Sequence, residues 1–573
     1  MKQIDVHKRT VSSMTDNSTY AGNGSAVVQV STTTSGKISD KAPSQRMSAW
    51  NAVAKGVLSN WVAAAVTGSV SFLITPMLIR GLGDFHYGMW ILVFSILSYN
   101  GLLDLGMRPT LARFTARFSG SGARREQDET FTTSLALAAT ACAVICILAL
   151  TLSGTFARFF SVQGSAYPEF RWLLVLLGVS VGVSSPAAAL GAYLYGLQRF
   201  EMANLVPILR DVIRGVLLAV TIHLGYGVIA CGAVTLAISI FSIGLYWKIL
   251  RWCDPELSIG WNLLNWSRAR ELLRFSFYIL LTGGGNILRF RIDAIVIGRI
   301  LSLALVTPYN VASSLTVYFD AFMVSLMTPL TPVMSSLDAR SQSEDLQRLF
   351  LFATKITTLF ALLFVSFVLL DGRALFRLWL GQRLATASYS LLLILTVGRV
   401  AGLAQVPSFS LLLARGRHQM LGWWTLGEGL ANLVLSIYWA TKYGVAGVAW
   451  GTAIPMLVTK LFLQPWYTLH VVGMAWRRYV LHGIARPVVA AMIFFGSSRL
   501  IISPMHFPGL LVFLGNIVWQ TLFFAILAWF IVFPSSERTL LWNRAKRFMP
   551  KRRASNDRSH GGLATVGEES ALS

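Results

Sequence analysis

From Val57 to Phe533 the chain runs as a series of apolar stretches separated by short joints rich in glycine, proline and charge. A helix needs about 20 mostly apolar residues to cross a ~30 Å hydrocarbon core. Windows of that kind recur at approximately 57–79, 88–107, 131–153, 171–195, 206–225, 227–249, 275–298, 306–333, 350–371, 386–412, 421–441, 445–469, 485–503 and 508–533. The predicted fold class is an all-α polytopic membrane protein of about 14 transmembrane helices. No long polar stretch interrupts the series, so no separate soluble domain is expected.

Composition agrees. The 573 residues are 54% hydrophobic and 13% charged, with a mean hydropathy of +0.60, against about 25% charged in a soluble domain. The formal net charge of +24 could suggest nucleic acid, but position decides against it. Arg108, Arg113, Arg117, Arg124 and Arg125 fall between spans 2 and 3, and Lys248, Arg251, Arg268, Arg270 and Arg274 between spans 6 and 7. Arg538, Arg544, Lys546, Arg547, Lys551, Arg552 and Arg553 follow span 14. All lie on one side if the count is even, which predicts that both termini are cytoplasmic. The segment Arg373 to Arg383 is the one basic exception outside. Residues 1–50 and 535–573 read as polar cytoplasmic tails, the first disordered and without the apolar core of a signal peptide, the second basic. The four cysteines are read as packing residues, and no disulfide, metal site or cofactor is indicated.

The chain also repeats itself. Tyr226-Gly227-Val228 resembles Tyr443-Gly444-Val445, 217 residues later. That register sets Asp211 opposite Glu428, with Asp104 near the counterpart of Asp320 and Arg80 near that of Arg299. An offset of six spans keeps the orientation, so the expected domains are an N-lobe over 51–252 and a C-lobe over 253–480. Two additional spans follow over 481–534. Parallel repeats place a substrate site at their interface.

Several segments resemble the polysaccharide flippase family of the multidrug/oligosaccharidyl-lipid/polysaccharide (MOP) exporter superfamily. They are Pro76-Met77-Leu78-Ile79-Arg80-Gly81-Leu82-Gly83 with Tyr87-Gly88 and Leu103-Asp104-Leu105-Gly106, then Phe275-Ser276, Asp293-Ala294-Ile295-Val296-Ile297-Gly298 and Tyr309. Glu428-Gly429-Leu430-Ala431-Asn432-Leu433 and the stretch from Tyr443 to Thr452 complete the set. The resemblance implies a V-shaped fold of two six-helix lobes that moves undecaprenyl-pyrophosphate-linked sugars across the cytoplasmic membrane by alternating access, for exopolysaccharide or O-antigen synthesis. It implies a lipid-linked oligosaccharide and membrane lipids as partners, with polysaccharide polymerase and export proteins beside them, and no nucleic acid. Span 1 has no charge between Lys55 and Arg80, unlike the arginine-rich first helix of the lipid II flippases, which disfavours that branch.

The deep charges carry the candidate chemistry. A charge at a helix centre costs about 2.5–3.5 kcal/mol on an insertion scale, so such groups must pair or line a wet cavity. Arg214, Arg289, Arg291 and Arg399 are the candidate substrate-binding arginines, since a guanidinium suits a pyrophosphate. Asp211, Asp293, Asp320 and Glu428 are candidate coupling or helix-pairing acids. The alternative for Arg289 is an i,i+4 pair with Asp293. Arg80, Asp104, Arg108 and Arg210 are expected at the cytoplasmic mouth, and Gly283, Gly284 and Gly285 are expected to bend or break span 7 as a hinge. Lys355 is expected to snorkel. A membrane glycan polymerase or ligase would need a large outer loop, which is lacking, and the chain shows no phosphate loop or H-E-x-x-H zinc motif; a non-enzyme is expected. A multidrug/cation antiporter would favour an acidic cavity and is the main rival.

Overall fold

The computed structural model describes residues 43–98, 107–327, 330–417, 419–502 and 509–535, with 537–539 and 542. Asp104, the Leu103–Gly106 motif and most of both tails lie outside the described residues. Residues 1–51 form a unit of their own, and the membrane bundle is the unit Ala52–Ser573.

The described residues form helices and no strands. In order these are α1 (Pro43–Leu97), α2 (Met107–Ser121), α3 (Arg124–Phe159), α4 (Ala166–Gly196), α5 (Phe200–His223), α6 (Val228–Cys253), α7 (Trp266–Ile300), α8 (Leu303–Met327), α9 (Leu330–Ala339) and α10 (Ser343–Leu380). Then come α11 (Gln382–Ala404), α12 (Val406–Ala414), α13 (Gln419–Val458), α14 (Gln464–Val472), α15 (Trp476–Tyr479), α16 (Arg486–Ile502) and α17 (Leu510–Ile531). Among the described residues, ten helical stretches are long and apolar enough to cross a membrane. Two of them, Leu58–Leu97 and Gln419–Val472, are 40 and 54 residues long, enough for two crossings each at 1.5 Å per residue. With α5 and α7, which carry more charge, they accommodate the fourteen expected crossings.

The expected loops between spans 1 and 2 and between spans 11 and 12 shrink to single glycines. Gly83 (φ 75°) and Gly444 (φ 59°) adopt non-helical backbone between otherwise continuous helical arms, a region that disfavours any residue with a Cβ. At Gly444 the chain folds back on itself. Ser436 faces Gly451, where a Cβ would come within 2.8 Å of the Ser436 nitrogen, and Ser436 Oγ donates to the Val448 carbonyl at 3.3 Å. Small residues on facing arms are what lets two helix backbones pack this closely.

One end of the bundle carries the Gly83 and Gly444 turns; the other carries Trp61, where span 1 begins, and Phe533, where the last span ends. At the turn end a single apolar cluster takes buried residues from both halves, among them Leu78, Trp90 and Leu173 with Ile297, Val306 and Phe376. At the terminal end the cores are separate. Leu111, Phe131, Tyr193 and Leu250 belong to one, and Met334, Phe350, Leu469 and Tyr479 to another. The two halves thus share one core at the turn end and keep their main cores apart below it, where they still meet along α2 and α7 through Phe114 and Phe118 on Leu272 and through Thr110 Oγ1, 2.9 Å from Ser276 Oγ.

Polar contacts seal the turn end. Asp84 pairs with Arg383 at 2.8 Å and its carbonyl accepts Thr307 Oγ1 at 2.7 Å. Trp379 stacks on Phe72 with centroids 4.3 Å apart and donates Nε1–H to the Phe72 carbonyl at 2.9 Å. The segment between α6 and α7 is fixed to the first half. Arg124 grips Asp254 with two bonds of 2.9 Å, and Asn265, which caps α7 by accepting from Ser267 N and Arg268 N, also donates to Glu129.

Two expectations change here. α7 is helical without interruption from Trp266 to Ile300, so the glycine triplet does not break it. Packing offers the reason: a Cβ at Gly285 would approach the Leu426 backbone to 3.2 Å, so glycine there admits α13. Lys355 does not snorkel either. It is buried in α10 and pairs with Glu537 at 2.6 Å. Near the other end of α10 the buried Asp371 accepts from Asn516 at 2.9 Å and Gln520 at 2.6 Å. Polar contacts at both ends therefore hold the additional helices against α10, around an apolar contact of Leu359 with Phe494 and Phe524.

Candidate functional site

The second half buries a connected set of charges. Glu428, on the first arm of α13, has a side chain with no exposed surface; it meets Arg289 of α7 at 2.7 Å and Lys460 at 3.2 Å. It also accepts a hydrogen bond from Thr459 Oγ1. Thr459 and Lys460 open a π-helical turn over Thr459–Leu463. Such turns reset the register of a helix, and this one presents both residues to the same carboxylate. Arg399 of α11 pairs with Asp320 of α8 and lies close enough to Arg289 for the two guanidiniums to repel. Each carboxylate offsets the burial of a cation; removing one partner of such a pair costs about 3–5 kcal/mol.

Beside this cluster lies a second network in which, among the described residues, no cation makes direct contact, although Arg399 acts on its carboxylate from nearby. Asp293 of α7 accepts from Tyr309 Oη, from Thr452 Oγ1 at 2.9 Å and from Asn432 Nδ2 at 3.0 Å. Asn432 also donates to the Arg289 carbonyl, while its own Oδ1 accepts from Ser436 Oγ at 2.7 Å. A carboxylate of α7 is thus enclosed by hydroxyl and amide groups from α8 and both arms of α13.

In the first half, Asp211 of α5 is buried between Arg210 at 3.0 Å and Arg214 at 3.4 Å, and accepts Thr67 Oγ1 of α1 at 3.0 Å. Asp211 and Glu428 each reach the first helix of their own half.

The sequence-predicted residues therefore divide. Arg289, Arg399, Asp293, Asp320 and Glu428 are gathered inside the second half, whereas Arg214 and Asp211 sit in the first, and the two groups do not form one cluster. The Arg289–Asp293 pair does not form, because each side chain finds a partner on α13. Arg291 is exposed, its ideal-helix direction lying about 200° from Arg289. Arg108 and Arg210 both lie close enough to Tyr246 to act on its hydroxyl electrostatically. Arg80 does not join them. It adjoins Gly81, which packs on Ile222 near the end of α5, and so lies at the turn end. The sequence reasoning missed Lys460, whose signal was a lysine one residue from a threonine inside span 12.

A cavity of about 700 Å³ opens between the halves, lined by Trp61, Gly68 and Phe72 of α1 and by Tyr318, Phe322 and Leu326 of α8. Its wall is almost wholly apolar, and none of the four candidate arginines lines it. Asp320 lies on α8 among these residues but turns to Arg399. The stacked Phe72–Trp379 pair closes the cavity toward the turn end.

Comparison with known proteins agrees with this architecture. Residues 53–338 match the family model described as "Polysaccharide biosynthesis protein". The "Uncharacterized membrane protein EpsK" of Bacillus subtilis (strain 168) is 21% identical over 85% of this chain and 97% of its own length. The "Putative O-antigen transporter" of Shigella flexneri is 19% identical over 73% and 98% respectively. Among solved structures, the lipid II flippase MurJ in an inward closed conformation shares the fold with a TM-score of 0.65, at 13% identity, over 86% of this chain and 99% of that one. The family match, the relatives and the common fold together show a multi-pass membrane protein similar to the polysaccharide flippases, which are transporters and not enzymes.

Proposed function

We propose that this protein translocates an undecaprenyl-pyrophosphate-linked oligosaccharide from the cytoplasmic to the external leaflet of the inner membrane by alternating access, supplying exopolysaccharide or O-antigen synthesis. One observation carries the reading: halves joined at the turn end enclose, toward the terminal end, a lateral opening walled by apolar side chains of α1 and α8. A polyprenyl chain matches such a wall, and a sugar does not. Arg113 and Arg117 of α2, Arg124 and Arg125 at the start of α3, Lys248 and Arg251 near the end of α6, and Arg268, Arg270 and Arg274 in the first turns of α7 lie at the terminal end, which supports a cytoplasmic placement of that end. The conformation is then open inward.

Within this reading, the buried cations of the second half meet the pyrophosphate by exchanging partners. Asp320 is the more exposed member of its pair, 29% against 6% for Arg399, so a phosphate can displace it without exposing the guanidinium. The coupling acid is Asp293, the deep carboxylate enclosed by neutral oxygen-bearing groups, which suits reversible binding of a proton or a hard monovalent cation. Asp211 and Glu428 are already neutralised by basic partners and serve to pair helices.

The test uses Gly68, where an added Cβ meets nothing within 4 Å. Gly68→Trp fills the opening without disturbing the fold. We expect normal membrane insertion, at least ten-fold slower glycan export and accumulation of the lipid-linked unit on the inner leaflet, with Gly68→Ala unaffected. Full export by Gly68→Trp, or altered drug sensitivity with no accumulation in a deletion strain, would refute the proposal, the second outcome favouring a cation antiporter.

A further inference from the structure

At the turn end, between α3 and α4, lies an open pocket of about 530 Å³ lined by Arg158, Ser161, Val162, Gln163, Gly164 and Tyr167. Arg171 stands over the Tyr167 ring at 5.8 Å, and both approach Gly154. Arg299, at the end of α7, stands over Phe159 at 5.2 Å, next in sequence to Arg158. Three exposed arginines from two halves of the molecule thus gather around one turn, and none of them forms an ion pair among the described residues. The acid of this corner, Glu169, is engaged by His86 Nε2 at 2.8 Å.

This is the end that the positive-inside rule would leave poor in arginine, so charge retained here calls for a specific anion. Stacking on Tyr167 and Phe159 fixes guanidinium planes, and a fixed guanidinium presents paired N–H groups with the geometry of a phosphate. The first turn of the 31-residue helix α4 adds the positive end of its dipole to the same pocket.

We propose that this pocket is a phosphate-binding site on the external face, which takes the phosphate-bearing head group of a membrane lipid once it has reached that leaflet. The inference rests on the orientation adopted under Proposed function. Because Arg299 comes from the second half and the other ligands from the first, the site is complete only while the turn ends are joined. A bound head group would hold that state and favour return of the carrier to its inward-open form.

The experiment titrates inorganic pyrophosphate into the full-length protein in phosphatidylcholine nanodiscs and reads the heat of binding. A saturable site that persists in Arg399→Ala is expected, weakened at least ten-fold by Arg158→Ala or Arg171→Ala and weakened also by Arg299→Ala. Arg348→Ala, at the other end, is expected to leave it unchanged. Adding phosphatidylglycerol separates the two sources of the head group. Undiminished pyrophosphate binding assigns the site to the translocated diphosphate lipid, and competitive loss assigns it to an anionic phospholipid. Absence of saturable binding, or binding indifferent to Arg158→Ala and Arg171→Ala, overturns the proposal. Gln163→Cys on a background lacking the native cysteines should react with a membrane-impermeant maleimide in intact cells; reaction only after permeabilisation overturns the external placement. Binding is read without transport, so a chain that exports glycan but ignores pyrophosphate sinks this inference alone.

Discussion

Asp293 shows how much one side chain's surroundings decide. Its neighbours on α7 are Arg289 and Arg291, and helical spacing alone would pair it with Arg289. The fold gives Arg289 to Glu428 and leaves Asp293 to Tyr309, Asn432 and Thr452. A carboxylate held only by neutral groups can gain and lose a small cation without stranding a buried counter-charge, and Glu428, between Arg289 and Lys460, cannot. Asp293→Asn keeps the shape of the side chain and removes its charge. Export measured in vesicles with an imposed ion gradient should therefore lose its response to that gradient, while binding of the glycolipid persists. A gradient response equal to wild type would remove Asp293 from the coupling role. The aspartate was legible as a deep charge in the sequence; its partners were not, because all three lie on other segments.

At the scale of elements, the hairpin of α13 sets the geometry that Glu428, Asn432 and Thr452 share. Glu428 faces Thr459 and Asn432 faces Thr452 only because the arms fold back at Gly444 with Ser436 against Gly451. Gly451→Leu would drive the side chain into the Ser436 backbone. Overpacking of this kind costs typically 1–3 kcal/mol, and splaying the arms would also open the Asp293 network. Lower thermal stability in detergent and loss of gradient-driven export are expected together; Gly427→Leu, where a Cβ meets nothing within 4 Å, is expected to be silent. The Tyr-Gly-Val pattern announced a turn, but periodicity could not say that one glycine would replace the loop. The glycine triplet of α7 carried the opposite lesson. Glycine weakens a helix, yet at Gly285 the close approach of α13 outweighs that penalty and the helix continues.

For the whole molecule, the question is how the turn end opens. Asp84–Arg383, Thr307 to the Asp84 carbonyl, and Phe72–Trp379 all cross between the halves there. Arg383 is largely exposed, so its pair contributes at most about 1 kcal/mol, a latch weak enough to release in each cycle. A disulfide in its place would not release. With Asp84→Cys and Arg383→Cys combined in a cysteine-free background, oxidation should stop export and reduction should restore it; unimpeded export by the oxidised protein would show that the turn ends need not part. The additional helices take no part in this gate, because Lys355–Glu537 and Asp371 with Asn516 and Gln520 bind them to α10 of the second half.

By itself the sequence determined that the chain is a many-span helical membrane protein. About 20-residue apolar windows and the side on which arginines collect are properties of local composition, which the bilayer reads directly. It also carried the resemblance to the polysaccharide flippases and named most of the buried charges, since a charge inside an apolar window stands out wherever the helix packs. Only the tertiary structure decided which charges meet, that Lys460 joins them, that Arg291 does not and that Arg80 belongs to the turn end. It alone separated an apolar opening between α1 and α8 from the neutralised cluster behind it. Ion pairs within a membrane are made between helices far apart in sequence, and their choice of partner follows from helix rotation and contact, which hydrophobic pattern leaves undetermined.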